Sequence, residues 1–490
     1  MKTKKFSAFI ILLAIVFILP LIAACDNDDT SSASSTSEES VVSETSDSSR
    51  KSAKDNLPDR DFEDKDFVIF CRSEHEYEFA AEELNNEFIN DTIYNRNSKV
   101  EERYNVNIKT FAVDGDWGVH TQFFTTLKSY LQSGADDFQL IAGYAAVIPT
   151  MVSGGIFYNW KDIDYIDFDQ PWWSEDLNDE LTINDKLYLL TGDISLTLWE
   201  NMCAMFYNKD LATEYNLPDL YQMVRDGDWT FDEMAIFAKQ ACKDLNGDSQ
   251  WTKDDQFGYI SAKTTQVDVY LNAFDLPVTT KNSENIPEFT INQSKTYSIV
   301  QKLYDFLCES DDTYTTFSLD NEQYEMFGAE QSLFMPGPLK WGDYLNGYEF
   351  DYGILPMPKY DTNQEGYYTT SIDNYSMLAV PNTVVDTEFV GIITEALCAE
   401  SYRSVVEEYY NTMLQNRYAR DEQSAEMIDI VREGLRFNFG YVYSYTLDWP
   451  AHQVNICINS GTPEFASLWQ SKESMFEKNL ETQLSIYLED

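Results

Sequence analysis

The chain has 490 residues, with 34 Lys and Arg against 84 Asp and Glu and a formal net charge of −50. A surface this acidic repels nucleic-acid phosphates and anionic lipid headgroups, which excludes nucleic-acid binders and electrostatically docked membrane proteins. Hydrophobic residues make up 43% and aromatic residues 15% of the sequence. This is enough for a large core with rings to spare for binding, so the composition also excludes wholesale disorder.

The amino terminus is basic and apolar, unlike the rest of the chain. Lysines at positions 2, 4 and 5 precede an uncharged apolar run over 6–24, which ends just before Cys25. Such a run, with small residues before a cysteine, predicts a secretion signal over residues 1–24. Ile22-Ala23-Ala24-Cys25 resembles a bacterial lipobox, which implies cleavage before Cys25 and fatty acylation (palmitate) at that residue. An uncleaved anchor helix and an ordinary signal peptide are the alternatives.

A polar segment over residues 25–58 follows the leader. It is rich in Ser, Thr, Asp and Glu and has almost no large aliphatic side chains. Such a segment cannot bury enough apolar area to offset its chain entropy. We therefore predict a flexible tether that holds the folded part near the outer face of the bacterial cytoplasmic membrane.

Six cysteines remain once Cys25 is assigned to lipid. They are widely spaced and form no Cys-x-x-Cys pair, so the spacing favours buried free thiols over a disulfide framework or a zinc site. The six are Cys71, Cys203, Cys242, Cys308, Cys398 and Cys457.

From residue 59 onward the apolar pattern is that of a folded α/β protein. It predicts strands at 67–71, 106–111 and 138–143 and helices at 80–104 and 123–132. Strands alternating with helices favour parallel α/β layers. Beyond residue 387 the pattern is mostly helical, with helices predicted at 388–415, 424–435 and 463–488.

A capping box marks a helix in the middle of the chain. Thr230 is followed three residues later by Glu233, and an apolar stripe then runs to a helix end predicted near Leu245. A strand is predicted to resume at 258–260.

The turn between that helix and strand has the spacing of a calcium loop. Calcium prefers six to eight oxygen ligands, and alternating positions of a tight loop can turn them toward one centre. The pattern resembles the calcium loop of EF-hands and especially of dockerins, although Ser249 replaces the usual glycine and the last position is an Asp. A plain polar turn is the alternative to a structural calcium site. The predicted ligands are Asp244, Asn246, Asp248, Gln250, Thr252 and Asp255.

A series of landmarks along the chain resembles a known family. In order they are the lipobox, the Ser-rich tether, FVIF, DDFQLIAGY, SGGIFYNW, KLYLLTGD, MFYNKDL, GDWTFDEM, LFMPGPLKW, YGILPMPKY and SMLAVP. This order is similar to that of bacterial extracellular solute-binding proteins of family 1, the receptors of ABC-type sugar importers, among them the maltose-binding protein.

The resemblance implies an α/β, two-lobed periplasmic-binding-protein-like fold of type II with a multi-strand hinge and a helical C-terminal part. It places the first lobe at 59–195 plus a segment from about 373. The second lobe is expected at 196–372 plus the C-terminal helices to 490. The implied partners are a sugar, the permease subunits of an importer and, through the lipid anchor, the membrane, with the protein acting as a monomer.

Sugar recognition needs flat rings for the CH faces of pyranoses and carboxylates or amides for the hydroxyls. Loop aromatics stand beside such groups at several landmarks. The acidic composition favours neutral or cationic ligands over acidic sugars, and the high aromatic content narrows that choice to a neutral oligosaccharide. For each ring, packing in the core or at the rim is the alternative to ligand contact. The predicted ligand-binding residues are Tyr144, Asp193, Trp199, Trp341, Asp373, Tyr375, Tyr445 and Trp449.

Catalytic signatures are largely missing from the sequence. His75, His120 and His452 stand alone and are expected to be surface or packing residues. No nucleophile elbow, phosphate loop or dinucleotide-binding turn occurs, and no catalytic cofactor is expected. A non-enzymatic receptor is therefore predicted. The alternatives are a glycoside-active enzyme with a carboxylate pair and a structural or adhesive surface lipoprotein.

Overall fold

The computed structural model describes residues 50–134, 136–317, 321–411 and 421–489. The predicted signal peptide, Cys25 and most of the predicted tether lie outside these residues. Within the described residues, no helix combines the length and apolar character needed to cross a membrane.

The strands of the described residues belong to three sheets. They are β1 (Lys65–Arg72), β2 (Val106–Val113), β3 (Leu140–Tyr144), β4 (Cys203–Asn208), β5 (Phe257–Ala262), β6 (Thr279–Lys281), β7 (Pro287–Phe289), β8 (Thr313–Thr316), β9 (Ser332–Pro338), β10 (Tyr352–Leu355) and β11 (Ser376–Ala379).

The described helices are α1 (Phe88–Tyr104), α2 (His120–Ser133), α3 (Glu175–Leu181), α4 (Leu196–Glu200), α5 (Lys209–Glu214), α6 (Leu220–Asp226), α7 (Phe231–Gln240), α8 (Thr265–Ala273), α9 (Ser294–Leu307), α10 (Asn321–Gly328), α11 (Trp341–Leu345), α12 (Thr387–Glu400), α13 (Val406–Glu408), α14 (Glu422–Glu433), α15 (Phe439–Val442), α16 (Gln453–Asn459) and α17 (Phe465–Leu488). Short 3-10 turns occur at Ser73–Glu78, Ile148–Gly154 and Trp160–Asp162, and a π turn occurs at Ser401–Val405.

The first lobe is built on a four-stranded sheet in the order β11-β3-β1-β2. β1 is parallel to β2 and β3, and β11 joins β3 antiparallel. The central strand β1 is fully buried from Ile69 to Arg72, which explains its nearly continuous apolar run. The predicted parallel α/β layer is confirmed here.

The second lobe is built on a five-stranded sheet in the order β10-β4-β9-β5-β8. β5 runs parallel to both β8 and β9, whereas β4 is antiparallel to β9 and β10. β6 and β7 form a separate antiparallel pair. The two larger sheets establish the predicted two-lobed α/β fold.

Three chain segments meet where the lobes join. Met202 pairs with Ser371 in an antiparallel bridge, and the amide of Ile372 donates to the carbonyl of Asn201 at 2.9 Å. A third segment joins them through a parallel bridge between Thr369 and Leu435. The chain therefore passes between the lobes several times, as a multi-strand hinge requires.

The last helix contacts both lobes. Phe465, Trp469 and Phe476, in the first half of α17, belong to the core of the second lobe. Leu484 and Tyr487, near its end, belong to the core of the first lobe. The C-terminal helices are thus shared between the lobes, where the sequence analysis assigned them to the second.

The end of the predicted tether packs on the first lobe. Asp55 is 8% exposed and lies 2.7 Å from Nη1 of Arg103 and 2.9 Å from Nη2 of Arg403. Burial opposes ionisation of Asp55, but the hydrogen bonds from both arginines outweigh it and lower its pKa to about 2. Residues 53–57 are therefore fixed in the fold.

Two predicted helix ends differ from the structure. The helix predicted from residue 80 begins at Phe88, because the Asp91 carboxylate accepts the amides of Asn85 and Asn86 at 2.9 and 3.2 Å and holds a turn there. The helix predicted to end near Leu245 ends at Gln240, because Lys243 instead exchanges two backbone hydrogen bonds with Gln256.

Other local predictions are confirmed. Thr230 caps α7, its hydroxyl oxygen accepting from the amide of Glu233 at 3.4 Å. The helix predicted over 388–415 is α12, which continues through the π turn into α13, and part of it lies outside the described residues.

The six described cysteines are free. Four of them, Cys71, Cys203, Cys398 and Cys457, are buried, as predicted. Cys242 and Cys308 are partly exposed.

Close packing of α7 on β5 generates a stability prediction. A Cβ at Gly258 would lie 1.9 Å from the carbonyl oxygen of Ala238, so Gly258→Ala forces the helix away from the strand. We expect it to lower the free energy of unfolding by about 1–3 kcal/mol in urea denaturation. Gly118→Ala is the control, since no atom lies within 4 Å of the added carbon. Equal stability of the two variants would contradict this packing.

Candidate functional site

The carboxyl ends of the parallel strands of both sheets lie where the two lobes meet, and we call this region the cleft. β1 ends at Arg72 in the first lobe, and Lys340 follows β9 in the second lobe. Burial lowers the pKa of Lys340, against the opposing effect of the charges of Glu200 and Asp116. Asp116 belongs to the first lobe, so its charge acts on Lys340 across the junction of the lobes, at the strand ends where ligands bind in open α/β folds.

Aromatic rings form a cluster at one side of this cleft. The ring of Trp117 lies 5.9 Å from that of Tyr445 and 5.8 Å from that of Trp449, and the last two are 4.9 Å apart. Trp117 is 49% exposed, although the ring of His120 stacks on it at 5.0 Å, so part of its surface is open to solvent. We call the following set the aromatic cluster: Trp117, His120, Tyr144, Tyr445, Trp449 and His452.

A buried arginine lies beneath the cluster. Nη1 of Arg72 donates to Oδ1 of Asn374 at 2.7 Å, and Nη2 donates to the Asn374 carbonyl at 3.1 Å. The guanidinium carbon lies 4.5 Å from the ring centre of Tyr144, a cation–π geometry. Burial lowers the pKa of Arg72, and nearby acidic charges oppose that shift. The guanidinium thus holds Tyr144 and the turn before β11 in place.

A buried carboxylate stands on the second-lobe side. Asp268, in α8, is fully buried. Its Oδ2 accepts from Nδ2 of Asn455 at 2.6 Å and lies 3.4 Å from Nε2 of His452. Burial raises the pKa of Asp268 well above its ordinary value and lowers that of His452 to about 4. The imidazole is therefore neutral near pH 7.

Five of the predicted ligand-binding residues lie around this cleft. Tyr144, Tyr445 and Trp449 belong to the aromatic cluster. Asp373 and Tyr375 precede β11, and their carbonyls accept the amides that follow Tyr144, both at 3.1 Å. Burial raises the pKa of Asp373 to about 6.

The other three predicted residues lie elsewhere. Trp341 is 6% exposed in the core of the second lobe, and its ring covers Gly337 so closely that a Cβ there would lie 2.2 Å away. Trp199 packs beside Arg432, whose guanidinium carbon is 5.9 Å from its ring centre. Asp193 is buried, and burial raises its pKa to about 7 against the charges of Arg50 and Arg432.

Several cleft residues were missed by the sequence analysis. Trp117 lies in the loop after β2, between Gly115 and Gly118. Glycines on both sides of an aromatic residue in a loop indicate an exposed ring. Arg72 is the last residue of a buried strand, which marks it as a cleft residue in a parallel sheet. His120 and His452 were expected to be surface or packing residues. Asp268 lies in a helix and carries no local signal.

The predicted calcium loop lies at the opposite end of β5 from the cleft. Ser249 has φ of 60°, so the position that is glycine in the related loops adopts the left-handed turn here too. The carboxylate of Asp244 accepts the amides of Gly247 and Ser249 at 2.7 and 2.8 Å. The backbone amide of Thr252 donates a hydrogen bond to Asp255 at 2.8 Å and lowers the pKa of its carboxyl group.

These bonds close the loop through its own backbone. The structure's described part contains no group of three or more His, Cys, Asp or Glu side chains placed to hold a metal ion. Calcium binding by the six predicted ligands therefore stays a prediction.

Comparisons by sequence find nothing: no family model matches the chain, and no curated protein matches it. Solved structures do match. A cyclo/maltodextrin-binding protein in complex with maltotetraose is 11% identical, with a TM-score of 0.56 over 86% of this chain and 96% of that one.

Two further matches have similar extent. An ABC transporter solute-binding protein from Thermotoga lettingae, bound with α-D-tagatose, is 13% identical, with a TM-score of 0.52 over 86% of this chain and 100% of that one. An ABC substrate-binding protein from Listeria monocytogenes, in complex with cycloalternan, is 14% identical, with a TM-score of 0.50 over 86% and 98% of the two chains. The chain therefore has the two-lobed fold of the substrate-binding proteins of ABC transporters.

Proposed function

We propose that this protein is an extracytoplasmic substrate-binding protein that captures a carbohydrate and delivers it to an ABC-type importer. The observation that carries the proposal is the aromatic cluster, which lies at the carboxyl ends of the strands in the cleft of this fold. Its rings have flat apolar faces. Beside them, Asp268, Asp373 and Asn374 can form hydrogen bonds with sugar hydroxyls. The structural matches in complex with maltotetraose and cycloalternan support a sugar ligand.

Within that class we propose a neutral oligosaccharide. The cations of the cleft already have acidic neighbours. Nη1 of Arg72 lies 3.9 Å from Asp116, and the negative charge of Glu200 raises the pKa of Lys340 against the effect of burial. An acidic sugar would also approach a chain with a formal net charge of −50. Neutral sugars avoid this repulsion and still use the aromatic faces.

Ligand capture would shift the two lobes toward a closed arrangement. Trp117 and Tyr144 belong to the first lobe, whereas Asp268 belongs to the second. A ligand that contacts both sides stabilises the closed arrangement by its additional contacts there.

Thermal unfolding with a panel of sugars tests the proposal. A neutral oligosaccharide present at 100 times its Kd should add about 2.7 kcal/mol and raise Tm. Trp449→Ala should abolish the shift because it removes one wall of the aromatic cluster. Trp251→Ala is the matched control, since this 41% exposed ring lies on the predicted calcium loop, away from the cleft.

Other outcomes of the same panel favour other functions. A rise in Tm with peptides or polyamines and with no sugar would contradict the carbohydrate class. Cleavage of a glycosidic bond at catalytic turnover would favour the enzyme alternative, with Asp268 and Asp373 as candidate carboxylates, because burial raises the pKa of both. Lobes that stay rigid and bind nothing would favour a structural or adhesive lipoprotein.

We also propose that acylation of Cys25 anchors the protein to the outer face of the cytoplasmic membrane. The 24 residues between Cys25 and Arg50 reach at most about 85 Å, a length that allows the folded part to meet a permease. Two or three acyl chains give durable membrane attachment.

Cys25→Ser tests the anchor. The variant should appear in the culture medium, whereas the wild type stays with the membrane fraction through washing at high salt. Cys242→Ser is the control, because Cys242 lies in the folded part and is partly exposed. Membrane retention of Cys25→Ser equal to that of the control would contradict lipidation.

We further propose a structural calcium ion in the loop after α7. Excess chelator should then lower Tm, and added calcium should restore it. Asp248→Asn should remove this dependence while keeping the turn, because its oxygen can still accept the Gln250 amide, now 2.8 Å away. The same Tm with chelator and with calcium in the wild type would exclude the ion.

A further inference from the structure

The second-lobe wall of the cleft contains an acidic oxygen without a partner. Asp268 is fully buried, yet no described residue donates a hydrogen bond to its Oδ1. Buried polar atoms in folded proteins are almost always paired, and leaving one unpaired costs about 1–3 kcal/mol. Because this fold binds ligands at the strand ends, we infer that the ligand supplies the hydrogen-bond donor for this oxygen.

The other oxygen of Asp268 accepts a hydrogen bond from the amide of Asn455 and has the imidazole of His452 beside it. Ser444 Oγ accepts the amide of Ala451 at 3.3 Å, which leaves its own hydrogen free for Nδ1 of His452 at 3.0 Å. The imidazole hydrogen is then on Nε2, which faces Oδ2 of Asp268. Together with the amide of Asn455, this arrangement holds the carboxylate in one orientation. None of the ion pairs among the described residues joins a Lys or Arg to Asp268.

A second unpaired group lies beside it. The hydroxyl of Tyr441 is buried without a hydrogen-bond partner, and it is close enough to Asp268 and Asp373 for their charges to act on it. The ring of Tyr441 stacks on that of His452 at 6.0 Å, and Trp449 meets the same imidazole edge-on at 4.7 Å. The two unpaired groups therefore adjoin the aromatic cluster.

We propose that Asp268 and Tyr441 are specificity-determining residues that bind the hydroxyls of the sugar lying against Trp449. Oδ1 of Asp268 accepts a hydrogen bond from one sugar hydroxyl, and the hydroxyl of Tyr441 forms a hydrogen bond with the adjacent sugar hydroxyl. Asn455 is a positioning residue, because its amide holds the Asp268 carboxyl group in place. This inference rests on the proposed function and extends it to one end of the ligand.

The chemistry favours hydroxyls over charged groups. A carboxylate of the ligand would meet two acidic residues, Asp268 and Asp373, whereas a hydroxyl donates to one acceptor and accepts from Tyr441 in the same place. An ammonium group is the competing occupant, because a buried carboxylate can also pair with a cation.

Calorimetric titration of two variants tests the inference. The probes are maltotetraose, cellotetraose and xylotetraose, with the tetramer of glucosamine as the ammonium probe. Asp268→Asn should bind the best neutral tetrasaccharide about tenfold more weakly, the loss expected for one hydrogen bond. Tyr441→Phe should weaken binding by a smaller factor and leave the Tm of the ligand-free protein unchanged or higher, because its hydroxyl is unpaired there.

Glu395→Gln is the matched control. Glu395 is likewise a fully buried carboxylate, but it accepts the indole N–H groups of Trp172 and Trp173 at 3.0 and 2.8 Å, away from the cleft. This variant should lower Tm and leave the Kd for the sugar unchanged, which separates lost stability from lost binding.

The remaining outcomes are distinct. If the wild type binds a neutral sugar and both cleft variants bind it within twofold of the wild type, the inference is overturned and the proposed function stands. Binding of the glucosamine tetramer alone overturns the assignment to hydroxyls. A wild type that binds none of the probes overturns the proposed function and this inference with it.

Discussion

The buried carboxylate of Glu78 joins the segments that form the hinge side of the cleft. Its Oε2 accepts the amide and hydroxyl of Thr197 at 2.9 and 2.8 Å, and its Oε1 accepts the hydroxyl of Ser376 at 2.6 Å. Removal of this buried carboxylate would leave its donors unpaired, at about 1–3 kcal/mol for each buried group. Glu78 therefore fixes three elements together: the turn after β1, the helix α4 and the start of β11. Arg72 and Asn374 adjoin this turn and this strand and are fixed with them.

The cleft combines an open aromatic surface with polar groups whose orientation is already set. Nη1 and Nη2 of Arg72 hold Asn374, and its guanidinium packs on Tyr144, whereas its Nε has no hydrogen-bond partner among the described residues. Among the described residues, one oxygen of Asp268 accepts a hydrogen bond from the neutral amide of Asn455, and the other oxygen accepts none. This distribution suits a ligand that is polar, uncharged and flat on one face. The acidity of the whole chain acts in the same direction, since it disfavours anionic ligands before they reach the cleft.

Local features of the fold could be predicted from the sequence, and non-local ones could not. The apolar run of β1 and the Thr230 cap depend on neighbouring residues, and both were found. The predicted start of α1 was wrong because the Asp91 side chain stabilises a turn that competes with helix propensity. The family resemblance led to five residues around the cleft, but it could not tell that the ring of Trp341 covers Gly337. His452 and Asp268 lie 184 positions apart in the chain, and only the fold shows that they meet.

The most direct test of the account is a crystal structure of the folded part, from residue 50 onward, grown with the neutral oligosaccharide that raises Tm most. The account predicts that the sugar lies between the two lobes, with one ring stacked on Trp117 or Trp449 and a hydroxyl within about 3 Å of the unpaired oxygen of Asp268. A sugar bound outside the cleft, or one that leaves the aromatic cluster uncontacted, would contradict it.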